Sequence, residues 1–138
     1  MATCDLLAIH GSKASNFLDL GGQAYHEKVT SSLVLMEKDE DVDSIMINMY
    51  CGQLPADKVA VVIREAFEKN YCTKPIVVRI KGNMAADANA IIKEITSDKI
   101  VVIDDFNQAA MKVIELGKKA RAKKTEKELH SYGIDAMA

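Results

Sequence analysis

Apolar and polar positions along this chain repeat with two periods, and the periods alternate. Residues 16–20 (NFLDL) are a short apolar run closed by Gly21 and Gly22, and they predict a strand. Tyr25, Val29, Leu33 and Met36 then recur at helical spacing and predict an amphipathic helix over 24–38. Residues 44–50 (SIMINMY) are almost continuously apolar, the pattern of a strand buried on both faces. A helix over 57–70 follows, with Val59, Val62, Ile63, Ala66 and Phe67 on one side and Pro55 just ahead of it. Residues 75–80 (PIVVRI) predict a third strand, and 85–96 a helix with Ala88, Ile91, Ile92 and Ile95 inward. Residues 99–103 (KIVVI) predict a fourth strand. The last main helix runs from Phe106 to about 123 on a stripe of Ala109, Ala110, Val113, Ile114 and Gly117. Residues 3–9 predict a short helix before the first strand.

A strand-then-helix unit repeated four times with short links implies a parallel sheet covered by helices on both faces. The fold class is therefore α/β. Composition agrees: the 138 residues are 49% hydrophobic and 28% charged, a globular balance with room for one domain. The net charge of -2 supplies no field that would gather nucleic acid. The basic run at 118–124 has no interleaved aromatic platform, so nucleic-acid binding is not expected. No apolar run approaches the ~20 residues that span a bilayer. The opening residues MATCDLLAIHG resemble neither a signal peptide nor an Arg-rich presequence. Cys4, Cys51 and Cys72 form no C-x-x-C pair, and three thiols cannot all pair within one chain; they read as small buried or half-buried side chains.

A parallel sheet presents its ligand-facing loops at the carboxyl ends of its strands. Here those loops carry Gly21, Gly22 and Gln23, then Cys51, Gly52, Gln53 and Leu54, then Lys81, Gly82 and Asn83. Each leads into a helix whose free N–H groups suit an anion. His10, His26 and His130 have no carboxylate or thiol partner at a readable spacing, so no nucleophile or metal ligand is assigned to them. Asp104 and Asp105 read as a strand-end and helix-capping pair. The polar stretch from Lys118 reads as a helix running into solvent. Its apolar points Leu129, Tyr132 and Ile134 leave open an arm, 123–138, that lies on a partner.

Three ordered blocks carry a family resemblance. ASNFLDLGG at 14–22 resembles the P-A-N-F-L-D-V-G-G motif of the succinyl-CoA ligase (succinyl-CoA synthetase) β subunit. NMYCGQLPADKVA at 48–60 is similar to its N-I-F-G-G-I-V-R-C-D-x-I-A, and PIVVRIKGN at 75–83 to its P-V-V-V-R-L-E-G-N/T. The match covers about 1–120. It implies the C-terminal domain of that subunit: a flavodoxin-like three-layer fold with a four- to five-stranded, mainly parallel sheet, occupying 1–122, with a C-terminal extension at 123–138. It also implies a protein partner, an α-like subunit that binds CoA and carries a phosphohistidine. The ATP-grasp part that binds nucleotide and magnesium falls outside the match. No cofactor and no metal is therefore expected on this chain.

Carried over by position, the resemblance makes Asn16 and the backbone of Gly52, Gln53 and Leu54 substrate-contacting. It makes the helix start at Asp57 the end that faces the phosphate, with Gly21, Gly22 and Gly82 as structural loop glycines. The departures lie in the same blocks. Cys51 stands where the family has Gly, Gln53 where it has Ile, Pro55 where it has Arg, Ala56 where it has Cys, and Lys81 where it has Glu. Arg to Pro removes a bidentate anion donor and an N–H. Losing one such charge-assisted contact costs on the order of 1.5–3 kcal/mol. The expectation is a non-catalytic, structural docking subunit of a larger assembly. The alternatives are the C-terminal part of an active succinyl-CoA ligase, or a small module for CoA or an organic acid. By the same resemblance the expected location is the mitochondrial matrix, or the cytoplasm in a bacterium.

Overall fold

The computed structural model describes residues 2–21, 26–95 and 97–134. Its elements are α1 (Ala2–Ile9), α2 (His26–Lys38), β1 (Ile45–Cys51), α3 (Ala56–Glu68), β2 (Ile76–Gly82), α4 (Ala85–Lys93), β3 (Ile100–Val102) and α5 (Phe106–Ser131). The strands form one parallel sheet in the order β1-β2-β3, with Ile45 opposite Ile76 and Val78 opposite Val102.

The central strand β2 fixes the layering. Its side chains alternate between two apolar clusters. Ile76, Val78 and Ile80 enter the main core with Val59, Ile63, Ile92 and Leu33 of α3, α4 and α2. Val77 enters a smaller cluster with Ala109 and Val113 of α5, against which Leu7 of α1 packs. Helices therefore cover both faces, which is why β2 reads as an unbroken apolar run. The predicted stripes form the core: Val29, Leu33, Val59, Val62, Ile63, Ala66, Ala88, Ile92, Ala109, Ala110, Val113 and Gly117 are all buried. Tyr25 lies outside the described residues.

Small residues let α5 approach the sheet. The Ser44 hydroxyl donates to the carbonyl of Val113 at 2.7 Å, and a methyl group on Gly117 would meet that hydroxyl oxygen at 2.7 Å. The helix starts on a real cap: the Asp105 carboxylate accepts from the Gln108 N–H at 2.7 Å. It then runs unbroken past 122 to Ser131. Arg121 ties it to Asp43 at 2.9 Å, while Tyr132 and Ile134 beyond its end stay exposed. Among the described residues no helix is long and apolar enough to cross a membrane.

The sheet is smaller than the predicted four to five strands, because residues 16–20 do not join it. Polar groups in and beside that segment find local partners instead. The Ser15 hydroxyl donates to the Asp41 carbonyl at 2.8 Å, the Asn16 amide to the Asp39 carboxylate at 3.1 Å, and the Gly21 N–H to the Asp19 carboxylate at 2.8 Å. Phe17 and Leu18 are left about half exposed, at 51% and 48%.

Candidate functional site

The carboxyl ends of β1 and β2 form a rim of two knitted loops. Cys51 and Gly82 sit opposite each other in the ladder. The Asn83 N–H donates to the Cys51 carbonyl at 2.7 Å, and the Ala56 N–H donates to the Asn83 carbonyl at 3.1 Å. The second bond engages one of the first N–H groups of α3 with the protein's own carbonyl. Pro55, one residue earlier, has no N–H to offer. Gly82 has φ +96°, and a methyl group there would stand 2.2 Å from the Cys51 carbonyl oxygen. Only glycine allows these two loops to lie this close.

Of the residues named from the sequence, Gly52 and Gln53 are exposed on the rim and Leu54 is half-buried against the core. Asp57 lies in the first turn of α3; one of its carboxylate oxygens is buried and has no hydrogen-bond partner among the described residues. A carboxylate there opposes, rather than attracts, a second anion at the same helix end. Asn16 is elsewhere. Its amide is held by Asp39, which precedes β1, whereas Gly52 follows it. The strand between them is about 20 Å long. The structure therefore groups Gly52, Gln53, Leu54, Asp57 and Gly82, and leaves Asn16 apart from them; Gly21, whose N–H donates to the Asp19 carboxylate, lines the cavity beside β1. Gly22 lies outside the described residues.

Two cations near the rim, Arg79 and Lys81, are paired. The Arg79 guanidinium donates to the Asp104 carbonyl at 2.9 Å and to the Asn48 side-chain oxygen at 3.1 Å, and it lies over the Phe106 ring at 5.1 Å. Lys81 forms an ion pair with the Asp104 carboxylate. The hydrogen bond from Lys81, with the Lys81 and Arg79 charges behind it, holds that carboxyl below its ordinary range. Asp104 and Asp105 thus serve as a strand-end pair partner and a helix cap. The sequence reading assigned neither partner to Lys81 or Arg79; a charge pair 23 residues apart has no periodicity to announce it.

The histidines also find structural partners. His10 meets the Asn107 side-chain oxygen at 2.6 Å, tying α1 to α5, and His26 meets Glu65 at 3.1 Å between α2 and α3. His130 sits in the last turn of α5. Cys51 and Cys72 are buried and Cys4 is half-buried. Burial pushes the Cys72 thiol up to about 11, and moves Cys51 in the same direction. Among the described residues no group of His, Cys, Asp and Glu could hold a metal ion.

Residues 1–116 match the family described as CoA-ligase. The chain belongs to that family. The β subunit of succinate–CoA ligase [ADP-forming] from Francisella tularensis subsp. tularensis strain SCHU S4 is 37% identical over 115 residues, 83% of this chain and 30% of the relative. The same subunit from subsp. novicida strain U112 is 36% identical over the same span. This CoA-ligase chain thus spans about a third of the length of these relatives, and the resemblance to the C-terminal domain of that subunit holds.

Proposed function

We propose that this CoA-ligase domain is a docking subunit that binds an α-like partner within a larger assembly and does not itself hold a phosphorylated group at its rim. One observation carries the reading: two of the rim's cations and the first N–H of α3 are already engaged. Arg79 and Lys81 bind Asp104, the first N–H of α3 binds Asn83, Pro55 offers none, and Asp57 sets a carboxylate at the helix end. A phosphate would have to displace charge-assisted bonds and approach a carboxylate. Supporting the docking half, α5 carries an exposed end with Tyr132 and Ile134 uncovered, and the relatives are subunits by name.

The second reading, the C-terminal part of a working acid–thiol ligase, is favoured by the exposure of Gly52 and Gln53 ahead of α3. One experiment separates the two. The full chain is mixed with the succinyl-CoA ligase α subunit of the same cell. Complex formation is followed by light scattering, and succinyl-CoA formation from succinate, CoA and nucleoside triphosphate is followed by thioester absorbance. A stable complex without turnover is the expected result. Turnover that rises with added chain overturns the non-catalytic half, and no complex overturns the docking half.

A further inference from the structure

The far end of α5 lies beyond residues 1–116, the span that matches the family. Arg121 ties it to the body through Asp43 and the Glu40 carbonyl, both ahead of β1, so the helix leaves from the edge of the sheet opposite the rim. Past that point its side chains are exposed or half-buried, and Thr125 and Ser131 donate to carbonyls of their own helix. The end is built, not frayed. The Ile134 N–H donates to the Leu129 carbonyl at 2.9 Å and the Gly133 N–H to the His130 carbonyl at 3.0 Å, with Gly133 at φ +75°. This terminating turn folds Ile134 back toward Leu129 and fixes where the helix stops. One face of the helix carries Lys118, Ala122, Thr125, Leu129 and Tyr132, at alternating steps of four and three residues, the spacing with which one helix meets another. Lys119 and Glu126 flank that face on one side, Arg121 and Glu128 on the other, and Lys127 lies opposite it.

We infer that this face pairs antiparallel with the same face of a second copy, the two helices crossing near Lys123 and Lys124. In that register Ala122 meets Thr125 of the second copy, and these small side chains let the helices approach closely. Leu129 covers the methylene stem of Lys118 of the second copy. The flanks then match in sign: Lys119 meets Glu126 and Arg121 meets Glu128, each twice by symmetry. Sliding one helix by a heptad sets Glu126 against Glu126 and Glu128 against Glu128, so charge selects the register. Lys119 and Arg121 pair within the chain with Glu115 and Asp43, but exposed pairs are worth at most about 1 kcal/mol and exchange partners readily. The pairing goes beyond the docking reading and does not rest on it. Arm and rim lie at opposite ends of the sheet, so two copies joined by their arms keep both rims open to other partners.

Sedimentation velocity on the full chain tests it. The expected result is one copy at about 5 µM and mostly two copies at about 500 µM, the range of a small helical interface. Glu126→Lys, at an exposed position, is expected to weaken the pairing about tenfold by setting Lys119 against a second cation. Adding Lys119→Glu puts opposite charges back across the pair and is expected to recover it to within about threefold, while Lys127→Gln on the far face changes it by less than about threefold. A chain that stays single at about 500 µM overturns the inference, and that measurement needs no variant to fold. Pairing that Glu126→Lys leaves intact also overturns it, as does a loss that Lys119→Glu does not recover. So does an arm that associates only when the succinyl-CoA ligase α subunit is added, which assigns this face to that partner.

Discussion

Gly82→Ala is the sharpest test of how the rim is built. The added methyl group meets a backbone oxygen, that of Cys51, at 2.2 Å, and the residue sits at φ +96°. A carbonyl in a strand cannot rotate aside as a side chain can. The loop must shift, and two bonds depend on its position: Asn83 N–H to Cys51 and Ala56 N–H to Asn83. Forcing alanine into the left-handed region costs about 1–2 kcal/mol, and each lost hydrogen bond about 1 kcal/mol. Together the variant loses about 3–4 kcal/mol, a large share of the 5–15 kcal/mol that holds a domain folded. Urea titration followed by circular dichroism reads this directly, with an unchanged slope showing that the two states are the same. Gly52→Ala is the control: it lies one residue from the same carbonyl, with nothing within 4 Å of its added methyl and no left-handed φ. Its change is expected within about 0.5 kcal/mol. Equal stabilities for the two variants would refute the reasoning.

Gly117→Ala sets helix propensity, which favours alanine by up to about 1 kcal/mol, against the Ser44 hydroxyl oxygen 2.7 Å away. The substitution is expected to destabilise in the natural background and to stabilise once Ser44→Ala removes the hydroxyl, a coupling above about 0.5 kcal/mol in a double-mutant cycle by thermal melts. Glu37 gives a pH dependence. Burial pushes its carboxyl up, but hydrogen bonds from the Thr73 hydroxyl and amide and the Lys74 amide outweigh that and hold it below 4.5. The unfolded chain therefore takes up the proton first, so this stabilisation is complete above about pH 4.5 and fades as pH falls through the lowered folded value. Glu37→Gln is expected to flatten that limb in melts from pH 6 to 3, and a parallel limb would count against it. For the thiols, brief N-ethylmaleimide treatment near pH 7.5 is expected to add one equivalent, at half-buried Cys4, with Cys51 and Cys72 reacting only on unfolding; intact mass reads the number.

The helices and the central strand were legible because burial writes itself into sequence as a period. Val59, Val62, Ile63 and Ala66 recur along one side of α3, and all four are buried. The apolar run at β2 reads correctly because helices cover both sheet faces there. The NFLDL segment carries the same apolar signal, yet it stands off the sheet. Its apolar content is compatible with a strand, but Asn16 and Asp19 also offer local hydrogen bonds that a hydrophobic pattern does not weigh. The stretch from Lys118 read as a helix running into solvent and α5 does continue to Ser131, but its end near 123 was set short for a related reason. Beyond Gly117 its residues are mostly exposed, so no stripe marks the helix. It continues on good helix formers and on the Arg121–Asp43 pair.

The candidate site was legible in position but not in chemistry. Strand-end glycines located the rim, and the ladder does bring Cys51 and Gly82 together. What neutralises that rim is a backbone carbonyl, that of Asn83, and one carboxylate, Asp104, recruited from the link between β3 and α5. Neither leaves a trace in the spacing of residues. The substitutions relative to the family's pattern make more sense once these partners are seen. The Cys51 side chain is buried, so it does not project into the approach to Gly52 and Gln53; its effect on a ligand is through the loop it anchors. Lys81 reverses a charge, but its charge is absorbed by Asp104 and adds no free cation to the rim. Only Pro55 removes a donor outright, and it does so at the position where the family's arginine would reach an anion. The half of the proposal that denies the rim a phosphorylated group therefore rests chiefly on Pro55 and on the Ala56–Asn83 bond. Pro55→Arg in the chain–α complex is the substitution expected to move this rim back toward anion binding, and phosphate titration of that complex, with no tightening, would remove the proposal's main support.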